Sequence, residues 1–188
     1  LKGKINVVPE MNDMMYTAIA YHGGEFCSKD KELMKKVRDT LVAAKPNWMS
    51  LEYSTVEAMV KGDMWATSDW NGSALRQRLQ NPHIEYGYPK EGTFIWQDTV
   101  VILKDAKNVE NAKLFMNFIL DPENAAMNSA FARYANAIKG SEKFMPEDMK
   151  GAPELGFPAD YKGKVGFSVA CPPDVQEMYT AIWTELLK

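Results

Sequence analysis

Short apolar runs that alternate with helix-spaced segments constrain this chain more than any other feature. Gly3–Val8 is a β-branched run stopped by Pro9. Met11–His22 follows, with Met11, Met14, Met15, Ala18 and Ile19 at helical spacing before Gly23-Gly24. Ser28-Lys29-Asp30 opens a helix over Lys31–Ala44 that Pro46 ends. Trp48–Tyr53 reads as a strand, Ser54-Thr55-Val56-Glu57 as the capping box of a short helix closed by Gly62, and Met64–Trp70 as the next strand. Ala74–Leu79 then reads as a helix and Ile84–Tyr88 as a strand ended by Pro89. Strands alternating with helices predict a parallel or mixed α/β sheet.

The pattern changes after Trp96. Asp98–Leu103 reads as a last strand, and Val109–Leu120 and Glu123–Tyr134 as two amphipathic helices separated by Asp121-Pro122. Lys139–Gly166 is rich in Pro, Gly, Lys and Glu, with short helical pieces at best, such as Ser141–Met145 and Pro146–Lys150. Pro172-Pro173-Asp174 starts a final helix whose stripe of Val175, Met178, Tyr179, Ile182, Trp183 and Leu186 is suited to burial. The helices beyond residue 103 have one strand to cover, so part of their sheet is expected outside this sequence.

Composition narrows the function classes. The 188 residues, 46% of them apolar, suffice for one domain or two small lobes. A net charge of −3 and the lack of a basic stripe argue against nucleic acid as a partner. Val100–Leu103 and Leu114–Leu120 are too short to cross a membrane and are flanked by charges. Leu1-Lys2-Gly3-Lys4 runs straight into a strand, as if the chain were cut from something longer. Cys27 and Cys171 could pair in an oxidising compartment, but two isolated cysteines are as readily buried thiols, the favoured reading. His22 and His83 fall in different elements and form no ligand pair with either cysteine, so metal or nucleophilic catalysis has little support.

The chemistry concentrates between Met64 and Asp98. Trp65–Ser73 and Phe94–Asp98 are apolar runs in which a Trp meets polar residues at a strand end. Indole faces and a carboxylate delivered this way suit an organic cation, because a desolvated ammonium is attracted to a Trp face and neutralised by a carboxylate. The plainer reading, core filler and turn residues, is somewhat favoured on spacing alone.

Six motifs then occur in one order. Leu1-Lys2-Gly3-Lys4 before a strand and an acidic helix start, Trp70-Asn71-Gly72-Ser73-Ala74, Pro89-Lys90-Glu91-Gly92, Phe94-Ile95-Trp96-Gln97-Asp98, Asp105-Ala106-Lys107-Asn108 and Phe118-Ile119-Leu120-Asp121-Pro122-Glu123 resemble the spermidine/putrescine-binding proteins of bacterial ABC transporters. The resemblance covers nearly the whole chain. It implies a type II periplasmic-binding-protein-like α/β fold of two lobes, with this sequence as its C-terminal part and most of lobe one missing. On that reading residues 1–92 and 167–188 form lobe two, residues 93–166 are a second visit to lobe one, and the crossing lies at Gly92–Asp98.

The resemblance also implies residue roles. Trp70 and Trp96 stand where an indole stacks on a polyamine's methylene chain, and Asp98 where a carboxylate holds one ammonium. Glu10 and Asp13 stand where a pair of acids takes a terminal amine, and their i, i+3 spacing puts them on one helix face. Complementing the helix dipole would equally explain acids there. Tyr134 falls where the family has a Tyr-Pro pair, although the Pro is absent, and Ala170-Cys171 replaces a position that can carry a Gln. Arg76 and Arg78 would suit the carboxylate of an ω-amino acid such as γ-aminobutyrate if they faced the cleft. Exposed positions on an amphipathic helix are the plainer reading, and Met11, Met14 and Met15 are expected in the core.

The expectation is a periplasmic solute-binding component of an ABC importer. It would bind a small cationic amine, bring no cofactor, and work with a membrane permease and with the missing N-terminal segment of the same protein. An ω-amino-acid binder, a carboxylate-dependent hydrolase built on Glu10 and Asp98, and a sensing subunit without ligand are the alternatives.

Overall fold

The computed structural model describes residues 1–53 and 55–188, so Ser54 of the expected capping box lies outside the described residues. Its centre is a parallel three-stranded sheet in the order β2-β1-β3, formed by β1 (Ile5–Val7), β2 (Trp48–Leu51) and β3 (Ala66–Ser68). The middle strand pairs Ile5, Asn6 and Val7 with Ala66, Thr67 and Ser68 on one side. On the other, Asn6 faces Ser50 and Val7 faces Leu51 after an irregularity next to Ile5.

Asn6 is fully buried and locks the three strands together. Its amide nitrogen donates to Glu52 O at 3.0 Å and Thr67 Oγ1 at 3.1 Å, while its oxygen accepts from Ser50 Oγ at 2.7 Å and Glu52 N at 3.1 Å. A buried amide is tolerated because all four partners are present.

The helices over this sheet follow the sequence closely. α1 (Met11–Tyr21) buries Met14, Met15, Tyr16, Ala18 and Ile19, and Met11 packs against the same core, as expected of the methionines. α2 (Lys31–Ala44) is capped by Asp30, which accepts from Glu32 N and Leu33 N. It adds Met34, Val37 and Leu41 to that core, and α7 (Pro173–Leu186) adds Val175, Tyr179, Ile182 and Leu186. Cys27 and Cys171, expected as buried thiols, are joined in a disulfide, with the Cys171 sulfur against the Tyr16 and Tyr179 hydroxyls. The cysteines are 144 residues apart in sequence, so only folding brings them together.

Between β2 and β3 lies α3 (Val56–Lys61), with Thr55 at its N-cap and Gly62 in the left-handed conformation at its end. β3 leads into α4 (Asn71–Gln80). A second, two-stranded parallel sheet pairs β4 (Gly92–Ile95) with β5 (Lys164–Phe167). Gly92 sits at φ 138°, and a Cβ there would lie 2.6 Å from the Lys164 carbonyl oxygen.

β5 was not expected from the sequence. A four-residue run becomes a strand here because β4, far away in the chain, offers an edge. Conversely, Ile84–Tyr88 forms no strand, because Tyr86 and Tyr88 pack into an aromatic cluster with Phe157 and Tyr161 instead of pairing along a ladder. Asp98–Leu103 forms none either: no strand pairs with it among the described residues, and Val101 and Leu103 are 69% and 74% exposed.

α5 (Val109–Ile119) and α6 (Pro122–Ala132) are joined through Asp121, which caps α6 by accepting from Glu123 N and Asn124 N. None of the α5 residues is buried, and Leu114, Phe115, Phe118, Leu120, Met127 and Phe131 are exposed. The stretch from 145 to 155 packs on α4: Met145, Met149, Ala152 and Leu155 surround the buried Leu75. Arg78 grips Glu154 in the same place, with Nε and Nη2 donating at 2.6 and 3.0 Å.

Candidate ligand-binding site

In a parallel α/β sheet, ligands bind beyond the carboxyl ends of the strands. Here those ends deliver the groups singled out by the sequence. β1 runs through Val8 and Pro9 to Glu10, the N-cap residue of α1, with Asp13 in the first turn. β3 runs to Trp70, the N-cap residue of α4. Because β1 and β3 are neighbours in register, the two helix starts lie side by side, and Trp70 Nε1 donates to Asp13 Oδ2 at 3.1 Å. Tyr53, just past β2, stacks on Trp70 with 6.0 Å between ring centroids and donates its hydroxyl to Glu10 Oε1 at 2.7 Å.

Asp13 and Trp70 border a cavity of about 500 Å³, with Glu10 and Tyr53 behind them and outside its lining. Asp13 and Trp70 form one side of it, and Phe94 and Trp96, from the end of β4, form another, with Tyr86 and Glu85 from the preceding loop. Trp96 meets the Tyr134 ring edge to face at 6.3 Å. Tyr134 in turn lies against the start of α4, where a Cβ on Gly72 would fall 2.5 Å from the ring, so only glycine fits beneath it.

Of the residues predicted to bind, Asp13, Trp70 and Trp96 line the cavity together. Glu10 and Tyr134 lie outside the lining: Glu10 is joined through Tyr53 to Trp70, and Tyr134 packs on Trp96. Asp98 is exposed and outside the lining residues; burial holds the Tyr134 phenol's proton, and the nearby Asp98 charge adds to it.

Asp69 also lines the cavity, and sequence reasoning gave it no role. Its Oδ2 accepts from Thr55 Oγ1 and, at 2.8 Å, from Gln77 Nε2, while Oδ1 accepts from the Trp70 backbone nitrogen at 2.8 Å. The missing signal was long-range: Thr55 stands where a capping box would use it, but its hydroxyl turns to Asp69 instead.

Burial pushes the carboxyl of Asp69 above its ordinary pKa, with the hydrogen bonds from Thr55, Trp70, Gln77 and Ser73 opposing. Asp13 is raised too, first by burial and further by the charge of Glu10, against the opposing hydrogen bond from Trp70. Three carboxylates, Asp13, Asp69 and Glu85, and no Lys or Arg stand among the described residues lining the cavity.

Arg76 and Arg78 do not enter it. Arg76 donates to Ala132 O at 2.8 Å and Ser73 Oγ at 3.0 Å, and Arg78 is held by Glu154. Both are partly buried and engaged rather than freely exposed on their helix. A cavity that pairs aromatic faces with uncompensated carboxylates favours a cation over an anion.

The sequence profile of the bacterial extracellular solute-binding proteins matches residues 2–186. The chain belongs to this family. Among its relatives, a putrescine/agmatine-binding protein of Pseudomonas aeruginosa is 22% identical over 93% of this chain and 49% of its own length. The putrescine-binding periplasmic protein of Escherichia coli is 27% identical over 79% of this chain and 42% of its own.

Among solved structures, one from Listeria monocytogenes described as a spermidine/putrescine ABC transporter superposes with a TM-score of 0.90 at 24% identity, over 99% of this chain and 58% of that one. A spermidine/putrescine substrate-binding protein of Streptococcus pneumoniae superposes with a TM-score of 0.79 at 22% identity over the same shares. The fold of this family member is therefore that of the substrate-binding proteins, as the sequence led one to expect. The chain spans about half the length of the curated relatives it matches. Its extracytoplasmic setting is that of the family. No helix among the described residues is long and apolar enough to cross a membrane.

Proposed function

We propose that this protein is the solute-binding component of an ABC importer and that it takes a small polyamine, putrescine or spermidine, in the cavity at the carboxyl ends of β1, β3 and β4. The observation that carries the reading is the cavity lining: Asp13, Asp69 and Glu85 with Trp70, Trp96 and Phe94, and no basic side chain among the described residues. Trp70 and Trp96 would hold the alkyl stem and Asp13 an ammonium, with Glu10 tuning Asp13 from behind Tyr53. Asp98 and Tyr134 stand at the Trp96 side, where a closing second lobe would draw them over the ligand. Closure excludes water, which strengthens each of these contacts. The liganded, closed form is what the membrane permease would recognise, and no turnover is required of any residue.

The same reading accounts for the rest of the molecule. Residues 1–92 and the end of the chain would form one lobe, and the α5–α6 region part of the other, with the contacts of residues 145–155 on α4 moving the second crossing ahead of the expected residue 166. The exposed apolar face of α5 and α6 would be covered by an N-terminal segment of the same protein, in keeping with relatives about twice as long. An ω-amino-acid ligand is less well served, because Arg76 and Arg78 are both occupied away from the cavity.

Tryptophan fluorescence tests the assignment, since Trp70 and Trp96 both border the site. Putrescine or spermidine should change the emission saturably at micromolar concentrations, and γ-aminobutyrate should not. A response to γ-aminobutyrate alone would move the ligand class to amino acids.

A further inference from the structure

We propose that Asp69 is a specificity-determining residue that takes the second ammonium of a diamine lying across Trp70. The inference rests on the polyamine reading of the cavity and adds a residue to which neither the sequence motifs nor the family resemblance gave a role.

The geometry carries it. Trp70 has a carboxylate at each end: Asp13 at its indole nitrogen, 3.1 Å away, and Asp69 at its backbone nitrogen, 2.8 Å away. Both acids line the cavity, and among the described residues neither has a Lys or Arg partner. A partly buried carboxylate without a counter-ion is costly unless a cation arrives to neutralise it.

Thr55, Gln77 and the Trp70 backbone hold the Asp69 side chain in one orientation. An ionised carboxylate offers about four acceptor sites; Thr55, Gln77 and the Trp70 nitrogen take three, and the fourth faces the Ser73 hydroxyl, which an arriving ammonium would displace. An alkyl stem running along Trp70 from its indole nitrogen towards its backbone would then leave Asp13 and approach Asp69. Such a site rewards two ammonium groups and gains little from a second methyl group. Asp98 is exposed beyond Trp96 and outside the lining residues, so a contact from it waits on closure of the second lobe, whereas Asp69 lines the cavity already.

The test compares a diamine with a monoamine of the same length. The protein and its Asp69→Asn variant, which keeps an acceptor for the Trp70 nitrogen, are titrated calorimetrically with putrescine and with n-butylamine. The wild type should prefer putrescine, and Asp69→Asn should weaken putrescine about tenfold or more while leaving butylamine within about twofold. Equal losses for both ligands would make Asp69 a scaffold for Trp70 and overturn the proposal, as would no loss for either. A wild type that binds neither amine would instead overturn the polyamine reading itself, and the inference with it. If Asp69→Asn does not fold, a crystal structure of the wild type with putrescine decides: an amine nitrogen about 3 Å from Asp69 is expected, and both nitrogens elsewhere would overturn it.

Discussion

Asp13 holds its proton more tightly than an ordinary carboxyl group, because burial penalises its charge and Glu10 adds repulsion. With a folded-state pKa above the unfolded one, the empty protein loses some stability as pH rises through the raised value. A bound ammonium reverses that preference, so binding should expel a proton. Asp69 is raised in the same direction. Polyamine affinity should therefore be flat near neutral pH and fall on acidification, beginning above the ordinary carboxylate range. Calorimetry at mildly acidic pH, in two buffers of different ionisation enthalpy, should register proton release, and its absence would remove Asp13 and Asp69 from the site.

Replacing Trp70 with Ala should cost about 1–2 kcal/mol of binding, or about five- to thirtyfold in Kd, by removing an indole face and the donor to Asp13. Trp70 and Trp96 were legible in the sequence because a Trp at a strand end is a local pattern, whereas Asp13 entered through the family resemblance, since an acid in a helix's first turn serves the helix dipole equally well. Asp69 was not legible, since its meaning depends on Thr55 and Gln77, which come from other elements.

Elements with their own local signals were read closely. The Asp30 cap of α2 and the Asp121-Pro122 start of α6 fixed those helices, and the apolar stripe fixed α7. Strands fared worse, because a strand exists only where an edge is offered: β5 gained β4, while Asp98–Leu103 found no partner among the described residues. The disulfide escaped for the same reason, its cysteines being distant in sequence.

Two measurements belong at this scale. Replacing both Cys27 and Cys171 with Ala should lower the unfolding free energy by about 3–5 kcal/mol, because the bond closes a long loop in the unfolded chain. Urea unfolding checks this, and the wild type under reductant should lose the same amount. Arg78→Ala strands the carboxylate of Glu154, whose side chain is fully buried, and should cost about 3–5 kcal/mol; an unchanged urea midpoint would show that α4 and the 145–155 stretch do not depend on this ion pair.

The whole molecule has a well-packed half and an open half. α1, α2 and α7 close a core over the sheet, whereas α5 and α6 show Phe115, Phe118 and Phe131 to solvent, the last of them 87% exposed. An apolar face of this kind is characteristic of an interface. Residues 1–188 should accordingly bind a hydrophobic dye and self-associate, and replacing Phe118 and Phe131 with Ser should reduce both. The unpartnered helices were legible in the sequence as a shortage of strands, whereas the packing of residues 145–155 on α4 was not, because no local pattern announces it.

The central claim is that the cavity holds an organic cation between Trp70 and Asp13. It is tested most directly by titrating putrescine calorimetrically into the protein and into its Asp13→Asn variant side by side. The account predicts saturable binding to the wild type and a loss of about ten- to a hundredfold in the variant, the value of one charge-assisted hydrogen bond. Equal affinity in both would contradict it.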